Sequence, residues 1–349
     1  MRHYKEHLIE TGTTIKEALK VLDRLAKDAI TFVVDSNGKL LGSMTDGDVR
    51  RGLIKDVSLN QPVDDIIQTN PKFIRKSNYD IEKVIEYREN NFQILPILNS
   101  DNQIINVINF NDLKSYLPVD VVIMAGGKGT RLRPLTESTP KPLLEVGDKP
   151  ILEHNIQRLS LFGMDDFWIT INYLGNQIEN HFGNGSGRNL NIEYVWEDKP
   201  LGTAGALSKI DNFKHDHILL TNSDLLTDLD YEDFFISFLE EDADMSVVTI
   251  PYKVDVPYAV LETTNGHVMS FKEKPTYTYY SNAGIYLMKK EVRQYIPEDD
   301  FYDTTHLMED LIANGKKVFS YAHTGYWLDV GKHEDFEKAQ EDIKNIDLI

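Results

Sequence analysis

The chain has 349 residues, 41% hydrophobic and 27% charged, the balance of a folded protein long enough for two domains with separate cores. A formal net charge of −19 excludes a broad surface for nucleic acid or anionic lipid, and no apolar run is long enough to cross a bilayer. The absence of cysteine excludes disulfides, thiolate nucleophiles and thiolate metal sites, so any metal must sit on oxygen or imidazole.

In chain order, residues 1–7 lead into no continuous apolar stretch, so neither signal peptide nor anchor is readable and the expected location is the cytoplasm. Phe32-Val33-Val34 and the stretch from Leu40 to Thr45 read as two short strands around the polar turn Asp35-Ser36-Asn37-Gly38. At a fixed offset of 64 residues, Leu95-Pro96-Ile97-Leu98 and the stretch from Ile104 to Phe110 repeat the arrangement around Asn99 to Asn102. Each unit follows a helix-like segment, Ile15 to Leu25 and Ile81 to Tyr87, and each is expected to lead into a further helix, giving a tandem βαββα pattern. This resembles a pair of cystathionine-β-synthase (CBS) domains, a regulatory fold that binds adenosine-type ligands between its repeats. The resemblance implies that Gly42, Thr45 and Asp48 hold the ribose of a regulatory nucleotide. The second repeat keeps Asp112 but has Asn106 and Asn109 where the motif needs Gly and Ser/Thr, so one competent site is implied rather than two. A pair kept only for dimerisation is the other reading, and under either one a homo-oligomer is expected.

After Tyr116-Leu117-Pro118 the pattern changes to strands alternating with helices, which places a domain boundary between residues 1–117 and 118–349. Val121-Val122-Ile123-Met124-Ala125 reads as a central strand buried on both faces, and it runs directly into Gly126-Gly127-Lys128-Gly129-Thr130-Arg131-Leu132. Glycines in such a loop let backbone N–H groups turn inward to cradle phosphate oxygens. The loop is not a Walker A motif, because no Gly-Lys-Ser/Thr follows a four-residue spacer. It is not a dinucleotide fingerprint either, because Leu132 stands at the third glycine position. Arg131 and Lys141 add two cations on a segment stiffened by Pro134, Pro140 and Pro142, as needed where negative charge gathers around a reacting phosphorus.

This string, with the Pro-Lys-Pro-Leu-Leu that follows, resembles the signature of the sugar-phosphate nucleotidyltransferase family. The implied fold class is α/β, a Rossmann-like domain with a mostly parallel sheet preceded by the α+β CBS module. The resemblance implies that Ala125, Gly126, Gly127, Lys128, Gly129, Thr130, Glu197, Gly202 and Thr203 bind the nucleotide, with Arg131 and Lys141 catalytic. Asp224, after the apolar stretch Leu219 to Ser223, and Asp329 match the family's metal-binding aspartates and imply Mg²⁺. Glu273 and Lys274 of the Glu-Lys-Pro element, with Ala259, Asn282 and Gly284, match the segments that hold the sugar phosphate. Ala259 stands where thymidylyltransferase-type members place glycine, and its methyl is expected to alter sugar choice. The chain stops soon after the last motif, so the acyl-transferring β-helix of bifunctional relatives is not expected.

The implied partners are a nucleoside triphosphate and a sugar 1-phosphate, joined by attack of the sugar phosphate on the α-phosphorus with release of pyrophosphate. GTP is favoured, because a carboxylate such as Glu197 can accept both adjacent donors on the pairing edge of guanine, whereas thymine or uracil offers a single imide donor better suited to an amide. A UTP-, dTTP- or CTP-dependent member of the same family is the alternative. Guanylyltransferases acting on glucosamine-1-phosphate or mannose-1-phosphate in bacterial surface-sugar synthesis are the implied kin. Two rival classes are weaker. A non-catalytic nucleotide sensor would lack Arg131, Lys141, Asp224 or Asp329, and all four are present. A Rossmann oxidoreductase would carry a ribose-binding acid about twenty residues past the glycines, where this chain is proline-rich and basic.

Overall fold

The structure, a computed structural model that describes residues 3–346, divides into two compact units. One runs to Pro118 and takes in Ser160–Asp165 and Gly185–Leu190; the other holds Val119–Leu159, Asp166–Asn184 and the chain from Asn191 on.

The N-terminal unit is built twice. Strand β1 (Leu8–Glu10), helix α1 (Ile15–Leu25), β2 (Ile30–Val34), β3 (Leu40–Thr45) and α2 (Asp46–Ile54) form the first copy. The second copy has β4 (Ile74–Arg75), α3 (Ile81–Glu89), β5 (Ile94–Leu98) and β6 (Ile104–Asn109). In each, the first strand pairs parallel with the second and the second antiparallel with the third. The register shifts at Val33/Val34 and again at Ile97/Leu98, equivalent positions in the 64-residue repeat. Helix α1 starts in a Thr14–Glu17 capping box and buries Ile15, Ala18, Leu22 and Leu25 at helical spacing. Phe32 and Val34 of one copy pack with Ile94, Leu98 and Ile104 of the other in one apolar cluster.

The second copy departs from expectation at its end, where no α-helix follows β6. In the first copy Thr45 and Asp48 form the capping box that opens α2. At the corresponding place Asn109 Oδ1 accepts from the Asn111 amide at 3.0 Å, an Asx turn that competes with a helix start, and Pro118 closes the short stretch that remains.

The second unit contains β7 (Val119–Met124), β8 (Glu145–Val146), β9 (Lys149–Pro150), α4 (Ile151–Leu161), β10 (Asp166–Ile171), α5 (Gly175–Phe182) and β11 (Asn191–Trp196). It continues through β12 (His217–Asn222), β13 (Leu225–Thr227), α6 (Tyr231–Glu240), β14 (Met245–Asp255), β15 (Val260–Thr264), β16 (His267–Lys272) and β17 (Thr276–Lys289). Helix α7 (Thr304–Ala313), β18 (Val318–Ala322), β19 (Trp327–Asp329) and α8 (His333–Asp342) complete it. The main sheet has seven strands in the order β11-β10-β7-β12-β17-β14-β18. The first four are mutually parallel, and β17 runs against both its neighbours. Val121, Val122 and Ile123 of β7 are fully buried, as the continuous apolar run requires. Each contributes about 1.5–3 kcal/mol to the core.

Strands β14 and β17 outrun the sheet and continue as a two-stranded ribbon, from Ile250↔Ser281 to Asp255↔Thr276, and β15 with β16 forms a separate hairpin at its end. Among the described residues no helix is long and apolar enough to cross a membrane.

Candidate active site

Parallel strands expose their carboxyl ends along one edge, and the segments leaving that edge can converge on a ligand. Here β7, β10, β11 and β12 end at Met124, Ile171, Trp196 and Asn222, and the chain leaving them encloses a cleft of about 510 Å³. The glycine loop from Ala125 to Arg131 forms one wall; Lys141, Glu197, Gly202, Thr203 and Asp224 complete it. All nine residues expected to bind the nucleotide, with both catalytic candidates, therefore line one cavity.

Close packing explains the small residue at Gly126. A Cβ there would sit 3.0 Å from Glu197 Oε1 and 3.4 Å from Asn172 Cβ, so the backbone passes directly beneath the carboxylate. Glu197 is itself held in place, because its Oε2 accepts from the Leu201 amide at 3.1 Å and its carbonyl accepts from Asn172 Nδ2 at 2.7 Å. Thr203 is more engaged than its motif suggests. Its amide and hydroxyl both donate to Asp303 Oδ1, at 2.9 and 3.1 Å, so it ties the cleft rim to the start of α7.

Two carboxylates meet at the floor. Antiparallel pairing of β13 with β19 places Leu225 opposite Asp329, and the Val330 amide donates to the Asp224 carbonyl at 3.0 Å. The buried Lys141 ammonium donates to Asp224 Oδ2 and lies 3.9 Å from Asp329 Oδ1. Burial pushes the Asp329 carboxyl up, the neighbouring Asp224 charge adds to this, and Lys141 and Arg131 oppose it. Asp329 Oδ1 is buried and has no hydrogen-bond partner. An orphaned carboxylate oxygen beside a second carboxylate, with one ammonium serving both, is a donor set that fits a hard divalent cation such as Mg²⁺.

The expected sugar-phosphate residues are split. Asn282 and Gly284 adjoin the cleft: Asn282 accepts from the Gly284 amide at 2.9 Å, and Gly284, at φ +76°, lies so close to Asn222 that a Cβ would stand 2.5 Å from its Nδ2. Ala259, Glu273 and Lys274 do not line the cleft, and they stand exposed on the two segments that join the ribbon to the hairpin. In the N-terminal unit Gly42, Thr45 and Asp48 are occupied locally. Thr45 donates to Asp48 Oδ2 through its amide at 2.9 Å and its hydroxyl at 2.7 Å, and Arg51 reaches Asp48 Oδ1 at 2.5 Å. A Cβ on Gly42 would stand 2.8 Å from both Gln68 O and Ile67 Cδ1, which leaves no space beside it. That unit instead has a cleft of about 550 Å³ elsewhere, bordered by Lys39, Lys72, Phe73, Arg75, Lys83 and Tyr87.

Sequence reasoning passed over Thr170, Asn172, Asn222, Ser223 and Phe301, which also line the catalytic cleft. Four of them sit at or just past strand ends, a signal the alternating pattern carries; Phe301 comes from a distant loop and carries none. A second polar cluster lies at the opposite edge of the sheet. Among the described residues Asp120, Asp166 and His215 form the one group of three spaced to hold a metal ion. The His215 amide donates to Asp120 Oδ2 at 2.8 Å, His215 Nε2 lies 3.1 Å from Asp166 Oδ2, and Lys214 donates to Asp166 Oδ1 at 2.5 Å. Burial alone would raise the Asp166 carboxyl, but the bonds from His215 and Lys214 outweigh it and lower it to about 2.

Residues 120–346 match the nucleotidyl transferase family, and residues 6–55 match the CBS domain. A UTP–glucose-1-phosphate uridylyltransferase from Synechocystis is 31% identical over 252 residues, 65% of each chain. A mannose-1-phosphate guanylyltransferase from Mycobacterium tuberculosis is 33% identical over 233 residues, 64% of each. The chain thus spans just under two-thirds of the length of these two relatives. The crystal structure of HddC from Yersinia pseudotuberculosis complexed with GMP-PN superposes with a TM-score of 0.51 at 27% identity, covering 64% of this chain and 99% of that one.

Proposed function

The chain belongs to the nucleotidyl transferase family, with a CBS domain at its N-terminus, and from that premise we propose that it joins a nucleoside triphosphate, GTP by preference, to a sugar 1-phosphate. The observation that carries the reading is the convergence of the glycine loop, Lys141 and Asp224 on one cleft, with Asp329 beside Lys141 at 3.9 Å. A phosphate oxygen of the sugar 1-phosphate attacks the α-phosphorus, a new P–O bond forms, the bond to the bridging oxygen of the β-phosphate breaks, and pyrophosphate leaves. The nucleophile is already an anion near neutral pH, so the protein needs no general base and works by positioning and charge. Backbone N–H groups of residues 125–130 hold the triphosphate, and Arg131 offsets its charge. Lys141 guides the incoming phosphate as it exchanges its carboxylate partners for substrate oxygens. Asp224 and Asp329 would hold Mg²⁺, which would supply charge neutralisation to the reacting phosphates.

Glu197 supports the preference for guanine. Its Oε2 accepts from the Leu201 amide and its Oε1 lies over Gly126, and each oxygen keeps a lone pair for one of the two adjacent donors of guanine. Lys274 and Glu273 belong to the sugar side through their match to the family's Glu-Lys-Pro element. The protein works in the cytoplasm as a homo-oligomer, with residues 1–117 as a regulatory module and 118–349 as the catalytic domain, and serves synthesis of a bacterial surface sugar.

The experiment is a matrix of GTP, UTP, dTTP and CTP against glucose, glucosamine and mannose 1-phosphates, read by pyrophosphate release. Turnover greatest with GTP is expected. Turnover with UTP alone would overturn the base assignment, and none with any pair would overturn the activity.

A further inference from the structure

The ribbon and hairpin formed by β14 to β17 have no core of their own. Every residue of β16 is exposed, as are four of five in β15. Along the ribbon, cross-strand pairing of Tyr252 with Tyr279 and of Val254 with Tyr277 puts one row of aromatic and branched side chains on a single face. On the hairpin, Leu261 opposes Phe271, and Met269 follows on the same side. Tyr258 is 76% exposed, Met269 69% and Phe271 66%, with Tyr252, Leu261, Val268 and Tyr279 all more than half exposed and Tyr280 likewise on the other face of the ribbon. A two-stranded hairpin with both faces wet is marginal by itself, and exposed apolar side chains gathered on one arm mark an interface.

Charge and area identify what covers it. Residues 251–282 contain Lys253, Lys272 and Lys274 against Asp255, Glu262 and Glu273, a net charge of zero in a chain of net charge −19. Two copies of so acidic a protein repel over most of their surfaces but can approach here. At about 150–250 Å² for each aromatic side chain, the exposed apolar groups offer on the order of 1,000 Å². A stable interface needs roughly 800 Å² from each partner. A self-complementary patch of this size, with open strand edges on the hairpin, suits the two-fold pairing of identical chains.

We propose that the β14–β17 arm is a homodimer interface, in which the ribbon and hairpin of one protomer cover those of its partner. The arm also carries Glu273 and Lys274, so the interface and the sugar-side reading of those two residues share one element; sedimentation reads the first and the nucleotide-by-sugar matrix the second. The test uses the full chain and compares wild type with the Tyr252→Glu/Met269→Glu double variant by sedimentation over a wide concentration range. Self-association of the wild type, weakened at least tenfold in the variant with unchanged circular dichroism, is expected. Because the chain has no cysteine, Thr278→Cys also gives a single spin-label site on the arm. A short interspin distance is expected in the otherwise wild-type chain and its loss in the double variant. Equal association of wild type and double variant would overturn the proposal by placing the interface elsewhere. So would a wild type that stays monomeric over that range, whether its arm amides exchange freely or resist exchange because the arm folds back on its own chain.

Discussion

The two ends of the parallel strands in the second unit carry the same kinds of residue put to different use. At the carboxyl ends Asp224 and Asp329 share Lys141; at the amino ends Asp120 and Asp166 meet Lys214 and His215. Both clusters contain a buried carboxylate oxygen without a partner, on Asp329 and on Asp120, and in both that carboxyl is raised first of all by burial. The surroundings differ. Asp329 keeps 40% of its side chain exposed next to a cleft walled by a glycine loop, whereas Asp120 is wholly enclosed. A charge cluster works as a site where the backbone leaves room for a ligand to complete it, and as architecture where the core has sealed it. The glycines after β7 make the opening.

Asp224→Asn should break the carboxyl-end cluster most severely. A loss of about 10²–10³ in kcat/KM is expected, the scale of one lost charge-stabilising group, with the circular dichroism spectrum unchanged. Pyrophosphate release near the wild-type rate at limiting Mg²⁺ would mean that this carboxylate does not act in the reaction.

Metal sharpens the contrast. Mg²⁺ at a hundred times its dissociation constant should stabilise the wild type by about 2.7 kcal/mol, seen as a rise in Tm. Asp166→Asn should keep that rise and Asp329→Asn should lose it. The reverse pattern would move the cation to the amino ends of the strands, where the spacing of Asp120, Asp166 and His215 would admit one.

Protons separate the two carboxyls of the sealed cluster. The Asp166 carboxyl is lowered to about 2, so its contribution is present above the unfolded value of about 3.9 and fades as pH falls through 2. Asp166→Asn should cost about 2 kcal/mol at pH 7, less at pH 3, and leave kcat/KM unchanged. Asp120 runs the other way. With its carboxyl raised, its contribution is complete below about 3.9 and is lost as pH rises through the higher folded value. Asp120→Asn should therefore gain on the wild type as pH rises from 4 to 8, in urea midpoints measured across that range, and parallel curves for the two variants would contradict the assignment.

The smallest effect expected is at the loop. Gly126→Ala brings a methyl within 3.0 Å of Glu197 Oε1, and about a tenfold rise in KM for the triphosphate should follow with kcat little changed, a shift of about 1.4 kcal/mol. An unchanged KM would mean that the carboxylate yields freely and does not press on the loop.

Much of this was legible in the chain itself. The 64-residue repeat, the buried run Val121–Ile123, the glycine loop and the aspartate after β12 are local patterns, each fixed by a few consecutive residues whose spacing sets strand, turn or helix. The missing last helix of the second repeat turned on a finer local competition, between the Asx turn at Asn109 and a helix cap. Three further features needed the fold. Asp329 faces Asp224 because β19 pairs with β13 across a hundred residues, and strand pairing at that separation has no local signature. Asp120 and Asp166 meet His215 because three strands begin side by side, and sequence alone reads each as an ordinary polar residue at a strand end. Glu273 and Lys274 stand apart from the cleft because β14 and β17 outrun the sheet that would have held them beside it. Sequence settles which residues form each element, since that depends on neighbours along the chain. Tertiary structure decides which charges share a cation, which glycine faces a carboxylate and which apolar face goes uncovered, since those depend on neighbours in space.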